Sequence, residues 1–591
     1  MKKNKTLHLY LSTLFLSIKL SFKASPAIMF LRLITLIIGA FIPTINIMGM
    51  KNIIDAFAVY NSYRAIYWFV VIGISQLTSA IINKVTNHLA VVHSDKISLI
   101  ISEEVINKVN ALDISYYDNP KLYDELMNVT RDIKVIPTLV WKVLASIQIA
   151  IKLLTSVFIL LEYIWWSPIV IILSCLPNFI IDKKTALDMY TWDRDSATEI
   201  RKMNYSYDTL TSKYFCKDVR INRLKEYLLD KYKHQWNNWY NQKHKLLTKQ
   251  FVLSFITMFF PHIITLLVAA IILNGILNAE FTAGDFSYCI GIMSQITSSV
   301  FGIITVISEI VNQKTKLYYY NNFKSWKPLV DNNGNKPLNS IDILEFKNVC
   351  FKYPNTNKNV LENISFTIKK GEKIGIVGEN GSGKTTIVKL LLRLYDPSSG
   401  RILINNQDIK EYNMDDYYKL ISSFLQDYIN YSFTLKENIQ TADIKKSVNE
   451  KEIFDSCKKS NAFEFINEWE NKLDEYLTKS FDISGKELSV GQWQKIALSR
   501  FFYKKAELYI MDEPSSSIDI ESERIIFDNV FKSYCDNTVI LISHSFSNLK
   551  RADKIIVIKK GKIIEMGTHL QLMQNKKLYY KLYNIQMERF I

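Results

Sequence analysis

Gly378, Gly383, Lys384 and Thr385 stand at the spacing G-x-x-x-x-G-K-[ST] within the stretch KIGIVGENGSGKTTIVK. A β-branched run, Ile374 to Val377, precedes them, and a helix-like run follows. That strand–loop–helix context is the one in which this spacing holds phosphate. Glycines let backbone N–H groups approach phosphate oxygens, and the start of the following helix adds positive potential. Lys384 would then contact the β- and γ-phosphates of a nucleotide, and the Thr385 hydroxyl would hold Mg2+. A chance glycine-rich turn would lack both flanks.

A second set of residues suits the same chemistry. The segment ELYIMDEP reads as a buried strand, Leu508 to Met511, ending at Asp512. Asp512 suits Mg2+, and Glu513 beside it suits polarising an attacking water. An acidic pair after a strand is common in turns; here it gains weight from the phosphate loop that precedes it. Gln426, in SSFLQDY, follows a strand-like run and would sense the γ-phosphate through water or Mg2+. His544, in TVILISHS, ends another strand and would contact the γ-phosphate. Tyr353, in VCFKYPN, would stack on adenine, because aromatic faces bind bases. Taken singly, each of the three has a plainer reading: a surface glutamine, a capping histidine, a core tyrosine. A further stretch, ELSVGQWQKIALSR, presents Ser489, Gly491 and Gln492 at a helix start, with the bulky Val490 among them.

These groups need a scaffold, and the chain has two unlike halves. Its 591 residues exceed one ordinary domain. Hydrophobic content is 48% while 22% of residues are charged, which suits a membrane part joined to a soluble part. A net charge of +16 would by itself suit an anionic partner. The lysines are scattered rather than gathered on one face, so no nucleic-acid partner is expected. Lysine-rich cytoplasmic loops of a membrane protein account for the balance.

Six apolar runs fill the first half: Ala27 to Met48, Ile66 to Asn83, Val143 to Ile164, Ser167 to Ile181, Phe251 to Leu277 and Phe286 to Ser308. Most reach the roughly 20 residues needed to cross a bilayer; the fourth is short and must borrow from its flanks. Lysine and arginine concentrate before the first run, between the second and third, and between the fourth and fifth. The positive-inside bias then places both termini in the cytoplasm. The first stretch, LHLYLSTLFLSIKLSFKAS, has no clear cleavage site and reads as a helix lying along the membrane surface. The six cysteines form no C-x-x-C pair, so neither a zinc site nor a disulfide framework is expected. VDNNGNKPLNSID reads as a linker, and beyond it β-rich and helical runs alternate as in an α/β domain.

Taken in order, Tyr353, the loop Gly378–Thr386, Gln426, LSVGQ, MDEP, SSSID and His544 resemble the nucleotide-binding domain of ABC transporters. The ending GKIIEMGTHLQL is similar to the end of exporter nucleotide domains, and six spans before such a domain match an exporter half-transporter. The resemblance implies a multidomain fold, a six-helix α-helical transmembrane domain followed by an α/β P-loop ATPase domain. It implies an interfacial helix over residues 1–25, the six-span domain over 26–325, a linker over 326–342 and the ATPase domain over 343–591. ATP and Mg2+ are the implied ligands. Glu379, Asn380, Gly381, Ser382 and Thr386 join the phosphate-loop residues around ATP, and Thr385, Gln426 and Asp512 join around Mg2+.

In this family two such domains face each other head to tail, with ATP between the phosphate loop of one and the LSGGQ-type segment of the other. Ser489 and Gly491 would clasp the γ-phosphate held by the second copy, Gln492 would join them, and Asp519 would sit between the two sites. The intact site set implies a homodimer, with a heterodimer as the alternative. Segments Asn119 to Leu126 and Thr211 to Asp218 match coupling helices that carry closure to the membrane part. Val490 departs from the family's usual glycine; a side chain pointing away from ATP would be tolerated.

The stretches LSVGQWQKIALSR and LDISYYDNPKLYDEL resemble exporters of lantibiotics and related ribosomal peptides. The expected function is ATP-driven export of a modified peptide from a bacterial cell, through a multi-pass protein of the cell membrane. A lipid or multidrug exporter of the same layout is the alternative. A non-transporting ATP sensor would need a broken site, and Lys384, Asp512, Glu513 and His544 are all present. About 26 residues precede the first span, which leaves no room for a peptidase domain, so separate modification enzymes and a leader protease are the expected partners.

Overall fold

The computed structural model describes residue 15 and residues 18–587, apart from 133–135, 313, 331–333, 355, 357, 515–517 and 544–545. Most of the expected interfacial helix and the whole of His544 therefore lie outside the described residues. The chain forms two compact units. One holds the residues up to Asn110 together with Asp124–Trp326; the other holds Lys327 onward together with Ala111–Tyr123.

The first unit is helical. Among the described residues, five helices are long and apolar enough to cross a membrane: Pro26–Ala58, Ser62–Asn110, Ile136–Tyr163, Lys225–Leu277 and Ala283–Val311. The fourth expected span is divided at Cys175 into Ser167–Ser174 and Leu176–Asp195. Pro177, at the second position of the later piece, has no N–H to give to the preceding turn, which accounts for the break. Large apolar side chains point outward along the long helices, among them Phe30, Ile34, Ile37 and Phe41 on one and Phe251, Phe255 and Phe259 on another, each at least 43% exposed. Such a surface is costly in water and ordinary in hydrocarbon. Helices of 49 and 53 residues, Ser62–Asn110 and Lys225–Leu277, run about 75–80 Å, far beyond a hydrocarbon core of about 30 Å. Their polar ends must therefore project from the membrane.

Among the described residues the second unit has ten strands: β1 (Ile343–Phe351), β2 (Leu361–Lys369), β3 (Lys373–Gly378), β4 (Ser399–Ile404), β5 (Gln407–Asp408), β6 (Ile421–Phe424), β7 (Leu508–Asp512), β8 (Thr538–Ile542), β9 (Lys554–Lys559) and β10 (Lys562–Gly567). Six form one sheet in the order β10-β9-β3-β8-β7-β6, parallel except for the β10–β9 hairpin. Four form an antiparallel sheet in the order β2-β1-β4-β5. Every residue of β7 and β8 is buried, as a central parallel strand covered on both faces requires. A helical lobe adds its own core, in which Leu435, Ile439, Ile453 and Leu477 pack with Trp493 and Ile496.

This topology decides where chemistry can happen. Gly378, Phe424, Asp512 and Ile542 end four neighbouring parallel strands, so their loops open on one edge of the sheet. In open α/β sheets ligands bind beyond the carboxyl ends of the strands.

Candidate functional site

The loop after β3 is shaped by close backbone contacts. A Cβ on Gly378 would lie 2.3 Å from the Ile558 carbonyl oxygen and 2.7 Å from Ser382 Oγ, so no side chain fits there. Gly383 takes φ of +106° at the start of the helix Lys384–Leu391, a conformation that glycine adopts without strain. Lys384 is buried, and its ammonium donates to the carbonyls of Gly378 at 3.0 Å and Glu379 at 3.3 Å. Burial pushes its pKa down, while Glu513 and Asp512 pull it back up. Ser382 is buried too, and its hydroxyl has no partner among the described residues. Glu379, Asn380 and Gly381 form the exposed rim.

Asp512 closes β7 with no exposed surface, and neither carboxylate oxygen has a hydrogen-bond partner among the described residues. Burial pushes its pKa up to about 6; Glu513 and Asp427 add to the rise, and Thr385 and Lys384 oppose it. A buried carboxylate without a partner is costly, and a cation beside it removes the cost. The donors here are a carboxylate, the Thr385 hydroxyl and the Gln426 amide, with no cluster of three or more His, Cys, Asp or Glu among the described residues. That set fits Mg2+, which keeps several waters and takes phosphate oxygens alongside one or two protein oxygens.

Glu513 follows in a left-handed conformation, φ +52°, with its N–H held by the Ile542 carbonyl at 2.9 Å. For a residue with a Cβ this costs on the order of 1 kcal/mol, and such strain gathers at functional sites. It turns the carboxylate toward Gln426, whose Nε2 donates to Glu513 Oε2 at 3.0 Å. Two residues singled out for water and phosphate chemistry thus touch, although they are far apart in sequence.

Tyr353 reaches the same loop from the antiparallel sheet. Its hydroxyl and Thr386 Oγ1 are 3.1 Å apart, and its ring meets Tyr395 edge-on at 5.5 Å between centroids. Tyr395 in turn donates a hydrogen bond to the Asp118 carboxylate. Asp118 belongs to Ala111–Tyr123, the piece from the first half of the chain that packs with this unit. Tyr116 donates to the Lys327 carbonyl at 2.7 Å, and the Asp113 carboxylate accepts from the Val330 N–H at 3.0 Å. Residues just before the expected coupling segment, Asp113 to Asp118, are thus linked through the rings of Tyr395 and Tyr353 to Thr386 in the helix Lys384–Leu391. The second such segment, Thr211 to Asp218, holds a helix break: Ala197–Thr211 ends, Ser212 is extended, and Cys216–Ile221 follows.

Ser489 caps the helix Val490–Tyr503. Its hydroxyl accepts from the Gln492 N–H at 3.2 Å, and the Gln492 side chain accepts from the Ser489 N–H at 2.9 Å. This is a reciprocal capping box, and it holds the start of the helix in one shape. Val490 is the first helical residue and is 65% exposed, and it is not among the residues with positive φ. Ser489, Gly491 and Gln492 are not bonded to the phosphate loop; Ser489 and Gln492 bond to each other. Asp519 caps the helix Ile520–Ser533 by accepting from the Ser522 N–H at 2.8 Å, and Lys495 lies 3.6 Å from it.

Three supports escaped the sequence. Gln494, buried in the helix after Ser489, donates to the Pro514 carbonyl at 2.7 Å and ties that helix to the turn carrying Glu513. Its one visible sign is an amide among apolar residues of that helix. Tyr428 donates to the Val490 carbonyl at 3.2 Å. Tyr395 and Asp118 are 277 residues apart, and nothing local marks either.

A family model described as ABC transporter matches residues 361–516. The subtilin transport ATP-binding protein SpaT of Bacillus subtilis is 31% identical over 94% of this chain and 91% of its own length. The nisin transport ATP-binding protein NisT of Lactococcus lactis subsp. lactis is 27% identical over 92% of this chain and 91% of its own. The solved structure of a bacterial Atm1-family ABC exporter with ATP bound shares the fold, with a TM-score of 0.80 and 20% identity over 95% of this chain and 99% of that one.

Proposed function

This chain belongs to the ABC transporter family, an exporter type in which ATP hydrolysis is coupled to transport, and from that premise we propose that it exports a modified ribosomal peptide from a bacterial cell. The observation that carries the cargo reading is the end-to-end likeness to SpaT and NisT. It spans over nine-tenths of the chain and so includes the membrane helices, where cargo must be held.

The chain works as a homodimer on this reading. Lys384 and the loop Gly378–Thr386 hold the phosphates, and Tyr353 takes adenine. Thr385, Asp512 and Gln426 would hold Mg2+, which when bound neutralises charge on the phosphate oxygens. Glu513, oriented by Gln426, takes a proton from the attacking water. Ser489, Gly491 and Gln492 of each copy meet the phosphates held by the other, with Asp519 between the sites. His544, outside the described residues, is assigned to the γ-phosphate. Both termini and the ATPase domain face the cytoplasm, as the distribution of lysine and arginine in the loops supports.

The test is ATP-dependent uptake of subtilin into inverted membrane vesicles carrying the protein. Uptake should require ATP, and Glu513→Gln should lower the turnover about a hundredfold or more, the contribution of a positioned general base. No uptake by the wild type, or equal uptake by the variant, would sink the reading.

A further inference from the structure

Lys152 is a cation with no ion pair among the described residues. It lies within the helix Ile136–Tyr163, about 24 Å from one end and about 16 Å from the other. Neither end is within reach of a lysine stem, so the ammonium cannot snorkel to an interface. Nor does it point at lipid. Ser156, one turn on, is fully buried, and Ile149, one turn back, packs against Gly302 of the helix Ala283–Asn312, its Cδ1 3.1 Å from where a Cβ would stand. The outward face carries Leu154 and Phe158, 58% and 68% exposed, on the opposite side. Among the described residues Lys152 has no ion pair and no acceptor for its ammonium. Other lysines of this unit do: Lys51 lies 2.6 Å from Asp285, Lys324 lies 2.8 Å from Glu104, and Lys142 pairs with Glu309.

The surroundings of Lys152 are polar and only partly satisfied. The pairings Lys142–Glu309, Ile149–Gly302 and Tyr163–Tyr288 set an antiparallel register that brings Lys152 level with Ser299. One turn from Ser299, Gln295 is buried; its Nε2 donates to Thr44 Oγ1 at 2.9 Å, and its Oε1 has no partner among the described residues. One turn from Lys152, Gln148 faces Gly39, its Nε2 2.6 Å from where a Cβ would stand. Pro43, in the helix Pro26–Ala58, has no N–H to give to the Gly39 carbonyl. A cation, two amides and a freed carbonyl thus gather at mid-membrane depth, where unpaired polar groups are expensive and mark function.

We propose that Lys152, Gln148 and Gln295 form a cargo subsite for a carboxylate of the transported peptide. The ammonium pairs the anion, and the amides and the Gly39 carbonyl take the peptide groups beside it. This assignment rests on the peptide reading above.

The experiment uses the full chain in phosphatidylcholine vesicles and measures ATPase stimulation by subtilin, with its carboxylates free or methyl-esterified. In the wild type the free acid should half-stimulate at a concentration at least tenfold below the ester. Lys152→Gln should keep wild-type basal ATPase and lose that preference, with the acid falling to the level of the ester, while Lys152→Arg keeps it. Gln295→Leu, a second route to the same site, should weaken the response to both forms. A wild type that answers both forms equally, or a Lys152→Gln variant that keeps the tenfold preference, overturns the subsite and leaves the peptide reading standing. A wild type that answers neither form removes the peptide reading, and the carboxylate assignment with it.

Discussion

Asp512 suits either a proton or a cation. Its pKa is raised, so in the fold alone the protonated form is favoured up to about pH 6, whereas an unfolded chain releases the proton near 3.8. The ionised form therefore costs stability, by a few kcal/mol at most; the cost is absent below 3.8 and complete above about 6. A cation that needs the carboxylate must displace the proton. Mg2+-dependent ATP binding should thus weaken about tenfold for each pH unit below 6, and Asp512→Asn should bind weakly with no such slope; titration of ATP at fixed Mg2+ across pH 5–8 reads both. Val490 poses a different question at the same scale. Its exposed place at the first turn puts its bulk outside the cap made by Ser489 and Gln492. Val490→Gly should change ATPase rate less than tenfold, and a larger gain would show that the side chain obstructs closure.

At the scale of elements, the ATP site was legible wherever its chemistry is local. The glycine spacing at Gly378 and Gly383 and the strand ending in Asp512 each announce themselves within a dozen residues. The contacts that join elements were not legible, because they depend on where the chain returns. Gln426 meeting Glu513 and Tyr395 meeting Asp118 are products of the strand order and of a segment from the first half of the chain packing with the second unit. The division of the fourth span also lay hidden, since its apolar run gives no sign of how Pro177 breaks the helix. The Tyr395 link can be tested. Burial and Asp118 push the phenol pKa up, so it remains a donor throughout the physiological range. Tyr395→Phe keeps the ring beside Tyr353 and removes one hydrogen bond to a carboxylate, about 1.5–3 kcal/mol of coupling. Peptide stimulation of the ATPase should fall about tenfold while KM for ATP stays within about twofold. Tyr395→Ala, which removes the ring as well, should raise KM too.

At the scale of the whole molecule, the proposal that two copies share the sites has a consequence in mixed dimers. Combining a Lys384→Ala chain with a Ser489→Arg chain places both defects in one site and leaves the other intact. Combining a chain that carries both changes with a wild-type chain damages both sites. Purified mixed dimers, each chain bearing a different affinity tag, should hydrolyse ATP in the first case and fall at least tenfold lower in the second. The reverse order, with the second pair the faster, would mean that each site is completed within one chain. The membrane half was legible as apolar runs and loop charges. Lys152 stands out in the third apolar run, but a lysine there looks the same in sequence whether it faces lipid, an acid or a cavity.

The capping box at Ser489 separates two properties of one hydroxyl. A serine oxygen has two lone pairs and one proton. The cap uses a lone pair, accepting from the Gln492 N–H, so in the proposed dimer the proton would stay available to a phosphate oxygen of the partner copy. Nothing has to be broken before the clasp is made, and nothing has to re-form when it opens. The group is preorganised, which leaves little reorganisation energy to slow either half of a repeating cycle. Aspartate caps a helix as well as serine does, yet it brings no proton and sets a negative charge against the phosphate. On the proposed reading the residue is thus constrained twice, once by the helix it begins and once by the phosphate it would meet, and the hydroxyl meets both demands.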